Sequence, residues 1–180
     1  LGHHALLAEA GVSRVTDLDW WQSHAWAPDC SITLTPSRHW CRRRFGATNH
    51  RLWGGFYLRS GRQSLYFTGD SAYDRAHFHQ IGQRLGRPDL ALIPIGAYEP
   101  RWFMRSAHMN PAEAVQVHRD LGARLSIAMH WGCWHLTDEP RLDPPRALSA
   151  ALSSAGVPST EFQILTPGAG VSVRALSRDD

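Results

Sequence analysis

Three stretches of the chain lead up to residues of metal-ligand type. Leu34 to Trp40 reaches His39, Leu65 to Asp70 ends on Asp70, and Ser126 to Trp131 reaches His130. Two imidazoles and a carboxylate suit a hard-to-borderline divalent cation. Strand ends in one sheet converge on one rim, so three tips of matching type point to a shared site. Three such residues are too few to hold a pair of catalytic metal ions well. The alternative at this point is structural: His39 and His130 as hydrogen-bonded loop residues, and Asp70 as the cap of the following helix. Asp74 competes for that capping role.

The elements that must position these residues follow from periodicity and punctuation. Leu1 to Ala10 reads as a short helix closed by Gly11, and Val15 to Trp20 as an imperfect strand. Ser31 to Thr35, Trp53 to Leu58 and Ser64 to Thr68 read as strands, the last two joined by a turn at Ser60-Gly61-Arg62. Helix Arg75 to Leu85 puts Phe78, Ile81 and Leu85 on one face. Strand Leu90 to Ile95 precedes a long loop. Asn110, Pro111 and Glu113 then give a strong helix start, and Gly122 gives the stop. Strand Leu125 to Met129 follows. A last helix opens at Asp143-Pro144 and ends at Gly156, and strands Glu161 to Leu165 and Gly170 to Arg174 close the chain. Strands alternating with helices define an α/β architecture, and the front hairpin makes the sheet mixed. The long loops Pro36 to Arg51 and Gly96 to Asn110 each contain a His and a Trp, and long irregular loops are more often functional than short ones.

A length of 180 residues suits a single domain, and a hydrophobic share of 43% allows a sizeable core. All nineteen basic residues are Arg, and the net charge is +3. Arg42-Arg43-Arg44 is the only basic run. It reads as a solvated loop face, with contact to anionic substrate or lipid headgroups as the alternative. The basic density of a nucleic-acid-binding arm is absent. Cys30, Cys41 and Cys133 have no paired spacing, so reduced thiols are expected. No apolar run is long enough to span a bilayer. The sequence starts at Leu1 and its first Met is Met104, which favours a fragment of a longer protein, so the domain is expected to be truncated.

Longer motifs carry a more specific signal. Thr35-Pro36-Ser37-Arg38-His39-Trp40-Cys41 and Tyr66-Phe67-Thr68-Gly69-Asp70-Ser71-Ala72-Tyr73 resemble ligand loops of the metallo-β-lactamase superfamily. The string from Asp89 to Met104, with His108-Met109-Asn110-Pro111-Ala112-Glu113-Ala114 and Met129-His130-Trp131-Gly132, is similar to one branch of it, the N-acyl-phosphatidylethanolamine-hydrolysing phospholipase D family. The resemblance runs from about Val15 to the last helix. It implies an αββα sandwich, here its C-terminal part with the N-terminal part missing, and two zinc ions at one rim. By resemblance His39 binds the first zinc, Asp70 bridges both and His130 binds the second. Such a pair generates hydroxide near neutral pH and clamps a phosphoryl oxygen. The implied reaction is hydrolysis of a phospholipid phosphodiester, releasing phosphatidic acid and an N-acylethanolamine.

By the same resemblance His108 is catalytic, lying beside the zincs and handling the substrate phosphate or delivering a proton to the leaving alkoxide. Its alternative role is a contact at the N-terminus of the helix that Asn110 caps. Trp102, Phe103 and Met104 could line an acyl-chain channel, touch a bilayer or pack in the core. The superfamily's His-x-His-x-Asp-His cluster is absent: His77-Phe78-His79 sits on a helix and is followed by Gln80-Ile81. Ala107 stands where a Gln often precedes the His, and Cys133 where Thr is usual.

The expected function is therefore zinc-dependent phosphodiester hydrolysis on a phospholipid-like substrate, with this chain alone inactive. The expected localisation is cytoplasmic by default, with peripheral membrane contact and no nucleic-acid partner. One alternative keeps the scaffold and changes the substrate to a lactone, cyclic nucleotide or sugar phosphate. The other is a non-catalytic half-domain, which requires an apolar face for its partner.

Overall fold

The alternating apolar residues of the strands and the 3.6-residue periodicity of the helices are satisfied by one mixed sheet with helices on one side. The computed structural model describes residues 2–44, 47–166 and 168–172. In chain order the elements are α1 (His4–Glu9), β1 (Ser23–Ala27), β2 (Cys30–Thr35), β3 (Arg42–Arg44), β4 (Ala47–Thr48), β5 (Gly55–Ser60), β6 (Gln63–Phe67), α2 (Arg75–Leu85), β7 (Leu90–Pro94), α3 (Arg101–Met104), α4 (Pro111–Leu121), β8 (Leu125–Met129), α5 (Asp143–Ala155) and β9 (Phe162–Gln163). The main sheet has seven strands in the order β1-β2-β5-β6-β7-β8-β9, and β3 and β4 form a separate two-stranded ribbon. Strands β1, β2, β5 and β6 pair antiparallel. Strands β6, β7, β8 and β9 run parallel, so their C-terminal ends lie along one edge.

Alternate residues of each strand point to opposite faces. Tyr57, Tyr66, Ala91, Ile93 and Ala128 meet Phe78 and Ile81 of α2, Val117 and Leu121 of α4, and Leu148 and Leu152 of α5 in one buried core. Helix α2 starts where the Asp74 side chain accepts the His77 N–H, at 3.0 Å. Helix α4 carries a complete capping box between Asn110 and Glu113, and ends at left-handed Gly122.

The opposite face is apolar, and among the described residues it is not covered by α2, α4 or α5. Registered pairing aligns two rows across five strands: Leu34, Phe56, Phe67, Leu92 and Ile127, and Ile32, Leu58, Leu65, Leu90 and Leu125. Phe56 and Phe67 remain 38% and 36% exposed. The far end of the sheet is closed by buried Asp89. Its carboxylate accepts the Ser64 N–H and O–H at 2.8 and 2.9 Å and pairs with Arg124 at 3.4 Å. It thereby ties together the starts of β6, β7 and β8.

Several expectations are corrected. Residues 15–20 form no strand. The edge strand is instead β1, whose Ser23, His24 and Ala25 face Thr33, Ile32 and Ser31 of β2. The long loop after β7 contains the short helix α3. The closing strand expected over 170–174 reaches outside the described residues, and residues 170–172 are not a strand. The helix expected over 1–10 begins at His4, and residue 1 lies outside the described residues. The free thiols of Cys30, Cys41 and Cys133, by contrast, agree with the expectation of reduced cysteines.

Candidate metal centre

Each ligand-type residue reaches the rim through a local constraint. Asp70 follows Gly69, whose φ of +65° is left-handed and whose added Cβ would lie 2.8 Å from the Gly54 carbonyl oxygen. Glycine alone meets both conditions without strain. His130 follows directly on β8 and itself adopts a left-handed φ of 59°, a conformation costing a non-glycine residue about 1–2 kcal/mol. Such strain, where it occurs, clusters at functional positions. An added Cβ on Gly96 would lie 2.2 Å from the His130 carbonyl oxygen, so Gly96 lets the ends of β7 and β8 close together.

The segment after Asp70 links the other two loops. Ser71 Oγ accepts the Arg38 N–H at 3.0 Å, and the Ala72 N–H donates to the Arg38 carbonyl at 2.9 Å. The Met109 N–H donates to the Ser71 carbonyl at 3.0 Å. His39 and His108 are thus held on either side of the Asp70 turn. Arg101 secures the His108 side: Nη1 donates to the His108 carbonyl at 3.0 Å, and Nη2 donates to both carboxylate oxygens of Glu113 at 3.0 and 2.9 Å.

The resulting geometry brings all four residues together. Asp70 divides its carboxylate: Oδ2 lies 4.0 Å from His39 Nε2, and Oδ1 lies 3.4 Å from His130 Nε2. His39 Nε2 and His108 Nε2 are 3.3 Å apart. One donor atom each from His39, Asp70 and His108 lies within 4.8 Å of the others. Ligands bonded at about 2.0–2.2 Å to one cation sit at comparable mutual separations. His39 Nδ1 lies 2.9 Å from the Trp40 carbonyl oxygen. A proton on Nδ1 donated there leaves the Nε2 lone pair facing Asp70 and His108, which is the usual outer support of a metal-bound imidazole. The Nε2 atoms of His108 and His130 face this cluster, while among the described residues their buried Nδ1 atoms have no hydrogen-bond partner. These donors fit a divalent cation.

Burial, with the neighbouring His39 imidazole adding to it, pushes the His108 pKa down to about 4, so this ring is neutral at physiological pH. Asp74, and not Asp70, caps α2, which removes the structural alternative for Asp70. His77 and His79 lie on α2, where His79 pairs with Asp120 at 3.3 Å. Trp102 and Phe103 are 81% and 63% exposed, so they are not core residues.

Glu139 is a residue that sequence reasoning missed. It is buried, and its carboxylate accepts the backbone N–H groups of Ala97, Tyr98 and Glu99 at 2.6, 3.3 and 3.0 Å. It joins the loop after His130 to the loop that carries His108. Burial pushes its carboxyl up, but hydrogen bonds from the Thr137 side chain and from the Glu99 and Ala97 amides outweigh this and hold it below the usual carboxylate range. Two cavities flank the rim. One of about 260 Å³ lies beside His130, under Trp131, Trp134 and Leu136. The other, about 560 Å³, reaches His39 and Asp70 along the apolar sheet face past Phe56 and Phe67.

A seven-stranded mixed sheet with ligand-type residues gathered at its strand tips is the metallo-β-lactamase fold. The family described as "Beta-lactamase superfamily domain" matches residues 2–131, and the chain belongs to it. The archaeal metallo hydrolase Igni18 of Ignicoccus hospitalis shares the fold with a TM-score of 0.68 and 19% identity, over 94% of this chain and 65% of that one. Within the superfamily the chain has homologues among the N-acyl-phosphatidylethanolamine-hydrolyzing phospholipases D. It is 44% identical to enzyme 1 of Caenorhabditis elegans over 138 residues, covering 74% of this chain and 39% of that protein. It is 34% identical to the mitochondrial enzyme of Saccharomyces cerevisiae over 152 residues, covering 82% of this chain and 32% of that protein. The chain therefore spans well under half the length of either relative.

Proposed function

We propose that this chain carries part of the zinc centre of a phosphodiester hydrolase acting on a phospholipid-like substrate. The observation that carries the reading is the Asp70 carboxylate, one oxygen toward His39 and the other toward His130, with His108 alongside. In this reading His39, Asp70 and His130 hold the metal, and Asp70 is the shared ligand. Zinc, when bound, would polarise a phosphoryl oxygen and acidify a coordinated water.

The chain's own residues supply the rest. His108, neutral and half-buried, presents Nε2 toward the same space. A proton on that atom can be donated to a phosphate oxygen or passed to the departing alkoxide. The Arg101 contact to the His108 carbonyl fixes its backbone beside the candidate centre. In this reading the two cavities beside the rim receive the apolar parts of a substrate. The apolar sheet face is the surface that a second layer of polypeptide would cover, and the remaining metal ligands are expected from that layer.

The test is metal analysis combined with hydrolysis of N-acyl-phosphatidylethanolamine by the whole protein to which the chain corresponds, beside a panel of lactones, cyclic nucleotides and sugar phosphates. Two zinc ions per chain and cleavage of the lipid diester support the reading. Absence of any transition metal, or turnover confined to the soluble panel, overturns it.

A further inference from the structure

Among the described residues no helix is long and apolar enough to cross a membrane, yet the rim of the candidate centre exposes large apolar side chains. Trp102 and Phe103 of α3 are 81% and 63% exposed, and Trp134 and Leu136 in the loop after His130 are 80% and 65% exposed. Exposed apolar groups scattered singly need no explanation, but a group of this kind on adjoining loops does. The two loops are one unit, because the Glu139 carboxylate holds residues 97–99 and the Asp138 N–H donates to the Glu99 carbonyl at 3.3 Å. Arg105 and Arg141 on these same loops are also exposed. Exposed indole rings and guanidinium groups on the same loops match a bilayer interface, where rings enter the headgroup layer and cations meet phosphates.

We infer that Trp102, Phe103, Trp134 and Leu136 form a docking surface that seats in the headgroup layer of a phospholipid bilayer, with Arg105 and Arg141 against its phosphates. The same loops carry His108 and His130, so docking brings the candidate centre to the depth of a headgroup phosphodiester. This rests on the phosphodiester reading for its purpose but not for its measurement, since binding to vesicles requires neither metal nor turnover.

The experiment is co-sedimentation of the chain with phosphatidylcholine vesicles, with and without phosphatidylglycerol. Each large apolar side chain moved out of water is worth on the order of tenfold in partitioning. Replacing all four residues by Ala should lower partitioning at least about 100-fold. Arg105→Gln with Arg141→Gln should remove the preference for anionic vesicles and its salt sensitivity. Because the apolar sheet face offers a competing route to lipid, Phe56→Ser with Phe67→Ser serves as the control and should bind like wild type. Binding lost in the sheet-face variant but kept in the four-residue variant overturns the inference. So does a wild-type chain that ignores vesicles, whether or not it self-associates through the four residues in light scattering. Failure of lipid hydrolysis with vesicle binding intact refutes the catalytic reading alone.

Discussion

Replacing Glu139 by Gln tests whether one buried carboxylate organises the rim. In the native structure its two oxygens accept three backbone N–H groups, with the shortest contacts at 2.6 and 3.0 Å and a longer one at 3.3 Å. Hydrogen bonds to a charged acceptor contribute about 1.5–3 kcal/mol each. The amide of Gln keeps one acceptor and turns the other into a donor facing an N–H. One good contact and the charge on the second are therefore lost, a destabilisation of about 3 kcal/mol. In a domain of this size that lowers the unfolding temperature by roughly 6–12 °C. The pH dependence has a definite sign. The folded carboxyl lies below its ordinary value of 4.5. Its stabilisation is therefore complete above that value and disappears as pH falls through the lower, folded pKa. Calorimetry from pH 7 downward should show wild type losing stability below about pH 4.5, and Glu139→Gln losing less over the same range. Hydrogen exchange should speed up at Ala97 and Glu99 while the amides of β7 and β8 stay protected. An unfolding temperature within a degree of wild type, with unchanged protection at Ala97 and Glu99, would refute the reasoning.

Other positions make independent predictions. Gly69→Ala, which combines a left-handed backbone with a 2.8 Å approach to the Gly54 oxygen, should destabilise by about 2 kcal/mol or more in chemical denaturation. Asp70→Asn should abolish zinc uptake measured by titration calorimetry while shifting the unfolding temperature little, because the side chain is 41% exposed and caps no helix. The chain alone should take up zinc only weakly and show no lipid hydrolysis, and robust metal-dependent turnover would contradict this. Burial lowers the His118 pKa, and Glu161 only partly opposes that. Stability from the neutral ring is thus complete above about pH 6.5 and declines as pH falls toward the folded value. His118→Asn should flatten that part of the pH–stability curve.

The helices and central strands were legible because their signals are local. Asp74, Asn110, Pro111, Glu113, Gly122 and Gly156 mark ends that a reader of the chain can place, and α2, α4 and α5 begin and stop there. Strand β1 was not legible, since Ser23-His24-Ala25-Trp26-Ala27 has no β-branched residue and owes its conformation to pairing with β2. Val15 to Trp20 has better strand composition but, among the described residues, joins neither sheet. At the site, the residue types of His39, Asp70, His108 and His130 could be read, because three of them follow strands and the fourth precedes a strong helix start. That Asp70 stands between His39 and His130 was implied only by the family resemblance, and the spacing of the chain alone does not give the 4.0 and 3.4 Å separations. Glu139 was invisible for the same reason. In Thr137-Asp138-Glu139-Pro140 it reads as a solvated loop acid, and only the amides some forty residues earlier give it its role.

Asp89 lies at the other end of the parallel strands and gathers the starts of β6, β7 and β8 through Ser64 and Arg124. The anchor and the candidate metal centre thereby sit at opposite ends of the same strands. Variation in the rim loops can redirect specificity without loosening the anchor. An engineer seeking a more robust scaffold can work around Asp89 without disturbing the candidate metal centre.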